Sequence, residues 1–223
     1  MNLEQARFNM IEQQLRTWEV LDQNIIDLLY VVRREEFVPQ AYRQLAFADT
    51  EIPLGHGASM LPPKIETRTL QALHLRKSDR VLEIGTGSGY MAALLAAHAA
   101  HVLTVEIVPE LADKATDTLR KQGVDNVIVS LGNGAQGWPS QAPYDAIMVS
   151  GAVPEVPSCL LDQLKVGGRM IAFVGTAPLM EVQRITRTAP AAFQVEVLFE
   201  TLVPELICEG SSFPSSSLSS FRL

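Results

Sequence analysis

Cysteine is nearly absent: Cys159 and Cys208 are the only two in 223 residues, far apart and without metal-ligand neighbours. That excludes a disulfide framework and a cysteine-built zinc site, and reads instead as two buried thiols in a reducing cytoplasm. No metal is expected. Histidine is also scarce, with four in the chain, and no His/Cys constellation suited to nucleophilic catalysis stands out. No segment approaches the ~20 uninterrupted apolar residues of a membrane span. The opening M-N-L-E-Q-A-R is polar and lacks the charged-then-apolar order of a signal peptide. Positive charge is the minority, 18 Lys and Arg against 25 Asp and Glu, for a net charge of −7. A nucleic-acid footprint needs a basic face, so nucleic acid is not expected as a partner. The remainder is ordinary for one globular domain with a sizeable core: 47% hydrophobic, 19% charged, 14 glycines.

What the chain does have is the run R-V-L-E-I-G-T-G-S-G-Y from Arg80 to Tyr90. Val81–Ile84 reads as a buried strand, Gly85 to Gly89 as a glycine-rich turn, and M-A-A-L-L-A-A as the helix behind it. Such a strand–turn–helix lets backbone approach a bound nucleotide. The spacing is G-x-G-x-G rather than the G-x-G-x-x-G of dinucleotide sites. Glu83 precedes the first glycine by two residues, where its carboxylate would repel a pyrophosphate but suit a ligand bearing an amino group and a sulfonium. S-adenosylmethionine is such a ligand, and NAD is not. A second strand, H-V-L-T-V-E-I, ends in Glu106, 17 positions beyond Gly89. An acid there is placed to accept hydrogen bonds from ribose hydroxyls.

Around this motif the patterning predicts helices within 3–45, from Phe8, Ile11 and Leu15 and then Ile25, Leu28, Leu29 and Val32 at helical spacing. Asp22 is the expected N-cap of the second helix and Pro39 its end. Residues 49–63, rich in glycine and proline, predict an irregular loop, and Pro63 the first turn of a helix with Ile65, Thr69, Leu70 and Leu73 inward. Arg33-Arg34-Glu35-Glu36 reads as a solvated face. Strand candidates are Val81–Ile84, His101–Val105, Val127–Leu131, Ala146–Val149 and Arg169–Val174, with a helix at Leu111–Gln122 closed by Gly123. Strands alternating with helices imply a parallel sheet covered on both faces, with ligands beyond the carboxyl ends of its strands. Phe193–Leu206 alternates without an intervening helix and predicts antiparallel strands at the sheet edge. The serine-rich end predicts an extended or mobile tail.

Taken together, V-L-E-I-G-T-G-S-G-Y, V-E-I, G-N-G-A-Q-G-W-P, A-P-Y-D-A-I-M-V-S-G-A and P-S-C-L-L-D-Q-L-K-V-G-G-R-M-I-A-F-V-G make the chain resemble one family. That family is the protein-L-isoaspartate O-methyltransferases, class I S-adenosylmethionine-dependent enzymes; R-R-E-E-F-V-P and D-T-E-I-P-L-G resemble its entry segment. The resemblance runs from about Asn9 to Leu206. It implies an α/β, three-layer Rossmann-like sandwich of about seven strands, mostly parallel with an antiparallel edge and an N-terminal helical extension. The implied division is a helical segment with substrate loop at 1–78, a cofactor-binding core at 79–206 and a tail at 207–223. It further implies methylation of the free carboxylate of L-isoaspartyl residues in damaged proteins, with S-adenosylmethionine as cofactor and a protein or peptide as partner; the oligomeric state stays open.

Transferred position by position, the resemblance places Glu83, Gly85, Thr86, Gly87, Gly89 and Tyr90 around the methionine part of the cofactor. Glu106 and Ile107 fall at the ribose, Gly132, Asn133 and Gly134 beside adenine, and Ser150 on the cleft floor. Asn133 stands where the family has aspartate, and its amide can still bond the adenine amino group. Ser59 matches the serine placed at the substrate carboxylate, although the stretch reads Gly57-Ala58-Ser59-Met60-Leu61-Pro62-Pro63 where the family has Thr-Ile-Ser, a polar residue and proline. Gly151 and Ala152, small residues where the family has a Thr-Ala-Ala-like stretch, leave room for the substrate or mark a tight turn. His56 is a loop-surface histidine or, facing the cleft, a group to hold a carboxylate or act as base toward a hydroxyl. His74, His98 and His101 read as incidental. Trp138 either stacks on adenine or packs. A carboxylate nucleophile is ionised at neutral pH and needs no base, so alignment is the main catalytic demand. The alternatives are a family methyltransferase with a different substrate, and a cofactor-binding module without turnover.

Overall fold

The computed structural model describes residues 2–208. Helix α1 (Leu3–Met10) starts at Asn2, whose side chain accepts the N–H groups of Glu4 and Gln5. It runs on through a wide turn at Ile11–Leu15 and stops at Glu19, where φ is 62°. Asp22 caps α2 (Gln23–Val31) by accepting the Asn24 N–H, as its position predicts. The helix ends at Val31 rather than at Pro39, because Val32 turns extended and Arg33 follows it. Arg34 and Glu35 then enter the interior, 1% and 4% exposed, against the expectation of a solvated face. Arg34 meets Glu66 and Arg7 meets Glu35, so these charges are buried in pairs.

Residues 49–63 are not irregular: β1 (Ile52–Gly55) and β2 (Ala58–Met60) form an antiparallel hairpin pairing Ile52 with Met60 and Pro53 with Ser59. Its turn holds three successive positive φ values, 89° at Gly55, 54° at His56 and 80° at Gly57. Glycine takes that region freely, which explains why the turn closes on two glycines. Pro63 opens α3 (Pro63–Leu73) at its first turn.

The main sheet comprises β3 (Arg80–Ile84), β4 (His101–Glu106), β5 (Val127–Leu131), β6 (Tyr144–Val153), β7 (Leu164–Thr176), β8 (Leu179–Ala189) and β9 (Ala192–Thr201). Their order is β5-β4-β3-β6-β7-β8-β9. The first five are parallel and the last two antiparallel. Helices α4 (Tyr90–Ala96), α5 (Pro109–Lys121) and α6 (Ser158–Asp162) complete the layers, and Gly123 with φ 71° follows α5 as predicted. The antiparallel edge begins earlier than the alternation at 193–206 suggests, since β8 is a full strand and residues 202–206 leave the sheet. The extra residue of the β8–β9 register shift is Leu198 on β9, and β8 runs evenly along β7. Its buried Val182 and Ile185 face opposite sides of the sheet, so β8 lacks the apolar alternation that would announce it in the sequence.

Side-chain alternation divides the core between two faces. Val81, Val102, Ala146 and Met148 pack with the N-terminal helices, α3 and α4, whereas Leu82, Ile84, Leu103, Ile147 and Val149 pack on the other side. Burial of each such aliphatic side chain contributes ~1.5–3 kcal/mol. Glu83, Thr104 and Ser150 share the parity of the first face, which brings them together on three neighbouring strands. No helix among the described residues is long and apolar enough to cross a membrane. Residues 209–223 of the predicted tail lie outside the described residues.

Candidate active site

The carboxyl ends of β3, β4, β5 and β6 converge on one cleft, as the strand order requires at a parallel sheet's centre. At its inner end Glu83 is fully buried. Thr104, its register partner on β4, donates to one carboxylate oxygen at 2.7 Å, and Ser150 donates to the other at 3.0 Å. Thr86 is buried and holds the Thr104 hydroxyl at 2.6 Å. Among the described residues no cation pairs with Glu83. Burial therefore pushes its carboxyl up to about 8, with the neighbouring Glu106 adding to the rise and the two hydroxyl bonds opposing it.

Glu106, 5% exposed, accepts the Gly87 N–H at 2.8 Å and the Val108 N–H at 3.0 Å, one on each oxygen. Its remaining lone pairs are available to hydroxyl donors in the cleft. The intervening turn has φ of 91° at Gly85 and 53° at Gly87. A side chain on Gly87 would meet Leu54 of the hairpin at 3.2 Å, and one on Gly85 would meet Leu206 at the same distance. The turn is thus left open by glycine between two covering segments.

Across the cleft, Gly132 and Gly134 follow β5. A Cβ on Gly132 would overlap the Trp138 ring at 2.8 Å, and one on Gly134 would overlap Ile84 at 2.8 Å. Trp138 accordingly packs beneath the turn and does not line the cleft. The Asn133 side chain accepts the Ala135 N–H at 3.1 Å, shaping the turn from within. Ile107, Gly132, Gly134, Ser150 and Gly151 line the cleft, as do Ala58, Ser59 and Leu61 from the hairpin.

Several expected site residues have other neighbours. Tyr90 is 2% exposed, stacked under Arg34 at 5.0 Å and against Phe37 at 5.4 Å, so its ring lies beneath the site. Gly89, with φ 82°, makes room for Ala115 and Leu119 of α5 rather than for a ligand. His56 is exposed at the hairpin tip and is not among the cleft-lining residues. Ala152 is buried and exchanges backbone hydrogen bonds with the segment after β9, donating to Pro204 and accepting from Leu206, both at 2.8 Å. Gly151 gives that segment its space, since a Cβ there would lie 3.0 Å from the Leu206 Cα. Cys159 and Cys208 are half-buried rather than core thiols.

Two contributions escaped the sequence reading. Pro204–Ile207 form one cleft wall through that single bridge to Ala152, a contact with no pattern to announce it. Glu66 lines the inner chamber beside Glu83, Ser59 and Met91. Its signal was present: with Thr69, Leu70 and Leu73 on the inner face of α3, position 66 falls on that face too.

Residues 5–205 match the model of the protein-L-isoaspartate(D-aspartate) O-methyltransferase family. A Myxococcus xanthus protein-L-isoaspartate O-methyltransferase is 45% identical over 183 residues, 80% of this chain and 86% of that protein. One from Rhodopseudomonas palustris is 42% identical over 207 residues, 92% of this chain and 95% of that protein. The chain belongs to the protein-L-isoaspartate O-methyltransferase family. A solved protein-L-isoaspartate O-methyltransferase superposes with a TM-score of 0.78 at 26% identity, covering 91% of this chain and 65% of that one. A structure from Plasmodium falciparum, described as a complex with S-adenosyl-L-homocysteine, gives 0.75 at 20% identity and shows the shared fold, over 93% of this chain and 99% of that one.

The family's enzymes are S-adenosylmethionine-dependent methyltransferases, and the residues present fit that cofactor. Glu83 is a buried carboxyl lacking a cationic partner among the described residues, the turn carries no side chain at Gly85 and Gly87, and Glu106 offers a fixed acceptor at the cleft wall. Glu83 would hold the amino group, Glu106 the ribose hydroxyls, and the turn at Gly132–Gly134 the adenine edge.

Proposed function

We propose that this protein methylates the free carboxylate of L-isoaspartyl residues in proteins. When bound, S-adenosylmethionine supplies a methyl group activated by its sulfonium. The chain's own residues supply placement: Glu83 fixes the amino group and Glu106 the ribose of the cofactor, and Ser59 on the hairpin lines the same cleft as Ser150 and Gly151. The Ser59 hydroxyl donates to the substrate carboxylate and orients one oxygen for in-line attack. That oxygen is already ionised at neutral pH, so no base is required. Holding the reactants in a near-attack geometry supplies ~7–11 kcal/mol of the barrier reduction.

The observation that carries this reading is the position of Ser59, half-buried on β2 and lining both the main cleft and the inner chamber that holds Glu83. The exposed position of His56 supports a substrate that needs no base, and so favours a carboxylate over a hydroxyl. In this reading residues 1–78 furnish the substrate side, residues 79–206 the cofactor side, and the protein works in the cytoplasm. The test is a methyl-transfer assay with labelled cofactor on an isoaspartyl peptide beside its aspartyl counterpart. Transfer to the first alone is expected; equal or no transfer to both defeats the assignment.

A further inference from the structure

The mechanism above uses none of the buried charges below the hairpin. Arg34 is 1% exposed, and its guanidinium is bonded in three directions. Nε donates to the Ala46 carbonyl at 2.9 Å, Nη2 to the Leu61 carbonyl at 2.7 Å, and Nη1 to Glu66. Its plane rests on the Tyr90 ring, the first residue of the helix that follows the glycine turn. Ala46 precedes the hairpin and Leu61 follows it, so one side chain ties both ends of the segment carrying Ser59. The same side chain contacts the element that carries the cofactor turn.

The hairpin needs such a tie. It is a separate two-stranded sheet, not an extension of the main one. Two strands alone are marginal in water and do not hold a fixed position without packing or bonds to something rigid. Apolar packing beneath it, by Met60 and Leu61, gives depth but little direction. A planar guanidinium with three acceptors at set angles gives direction. The desolvation cost of burying that charge is large, and apolar replacements of buried ion pairs are often neutral or stabilising. Stability alone therefore does not account for the arrangement.

We propose that Arg34, oriented by Glu66 and Tyr90, is a positioning residue that fixes the Ser59 hairpin relative to the glycine turn and so aligns the substrate with the methyl donor. This rests on the substrate reading above and assigns that site its alignment device. Glu66 contributes twice, as the acceptor that orients the guanidinium and as a wall of the inner chamber.

Three variants test it: Arg34→Lys, which keeps the charge but cannot reach three acceptors; Glu66→Gln, which keeps the shape and an acceptor; and the double Arg34→Met/Glu66→Met, which removes the pair without stranding a charge. Each is assayed well below its own melting temperature, on an isoaspartyl peptide and by calorimetry with S-adenosylhomocysteine. Misalignment on the ångström scale costs up to about 100-fold in rate, so kcat/KM should fall by about 10- to 100-fold in Arg34→Lys and the double variant. Glu66→Gln should show a smaller loss. Affinity for S-adenosylhomocysteine should change by less than about threefold in Arg34→Lys, about 0.65 kcal/mol at 25 °C.

Hydrogen exchange supplies a readout that needs no substrate. Amides of residues 52–61 should exchange on the order of tenfold faster in Arg34→Lys and the double variant, while those of β3 and β4 keep their protection. Unchanged hairpin protection, or unchanged kcat/KM in a wild type active on the peptide, overturns the proposal. A wild type inert on isoaspartyl peptides would instead overturn the substrate reading, and the exchange result would still decide the role of Arg34.

Discussion

Replacing Glu83 by glutamine keeps the shape of the inner cleft and both hydroxyl contacts but removes a fully buried carboxyl that has no counterion among the described residues. Burial, aided by Glu106, pushes this carboxyl from 4.5 up to about 8 in the ligand-free protein. The sign follows directly. Between those two values the folded state keeps a proton that the unfolded chain has released, so ligand-free stability is complete below about pH 4.5 and falls as pH rises toward 8. With 1.36 kcal/mol per unit, a rise of that size corresponds to about 5 kcal/mol as an upper limit. Glutamine has no proton to lose. Urea unfolding at pH 5.0, 7.0 and 8.5, estimated to bracket the titration at about one to two units per step, should show Glu83→Gln gaining a few kcal/mol relative to wild type across that range.

Binding reverses the balance. A cationic amino group beside Glu83 favours the carboxylate, so cofactor binding near pH 7 should expel up to about one proton from a carboxyl held protonated by burial. Calorimetry in two buffers of different ionisation enthalpy counts that proton. Affinity should climb between pH 6 and pH 8, by up to about tenfold per unit, and then level off. In Glu83→Gln both the proton release and the climb should vanish, with affinity lower by roughly 1.5–3 kcal/mol for loss of a charged hydrogen bond. Parallel stability curves for the two proteins, or equal proton release on binding, would refute the reasoning.

Glu106→Ala should weaken cofactor binding by about 1–3 kcal/mol in calorimetry, since a buried charged acceptor is lost and the Gly87 N–H is left unpaired. Gly87→Val places a β-branched side chain at φ 53° and against Leu54, and should abolish cofactor binding in a protein that still unfolds cooperatively by circular dichroism. Ser59→Ala should lower methylation of an isoaspartyl peptide by roughly 1.5–3 kcal/mol, some ten- to hundredfold, with cofactor affinity unchanged. His56→Ala, at the exposed hairpin tip, should leave turnover at the wild-type level; a large loss would point to a substrate that requires a base.

The parallel half of the sheet was legible because its signals are local. β3 and β4 are short apolar runs with an acid at or next to their last position, and Gly85 and Gly87 occupy backbone regions that other residues take only with strain. Asp22, Pro63 and Gly123 mark helix ends through bonds to residues a few positions away. The antiparallel edge was harder. β8 carries Glu181, Gln183, Arg184 and Arg187, and its buried Val182 and Ile185 face opposite sides of the sheet, so the period that identifies a half-buried strand is missing. Long-range contacts left no trace at all: the wall at Pro204–Ile207 exists only because Ala152 offers its backbone to a segment some fifty residues later.

Arg34 and Glu35 show the limit of reading charge from sequence. Adjacent like and unlike charges ordinarily face water, and here the partners that permit burial lie at Ala46, Leu61, Glu66 and Arg7, separated along the chain and joined only by folding. The same reasoning bears on the hairpin's departure from the family pattern, where Met60 and Leu61 stand between Ser59 and the prolines. Met60 is 3% exposed and Leu61 5%, with Met60 paired to Ile52 and the Leu61 carbonyl held by Arg34. Met60 is therefore an anchor on the core side of the hairpin, while Leu61, buried as well, still reaches the cleft wall. Ser59, one position earlier and of opposite strand parity to Met60, presents its side chain to the cleft beside Leu61. With Met60 turned to the core, Ser59 stays at the cleft, where the proposed contact with a substrate carboxylate requires it.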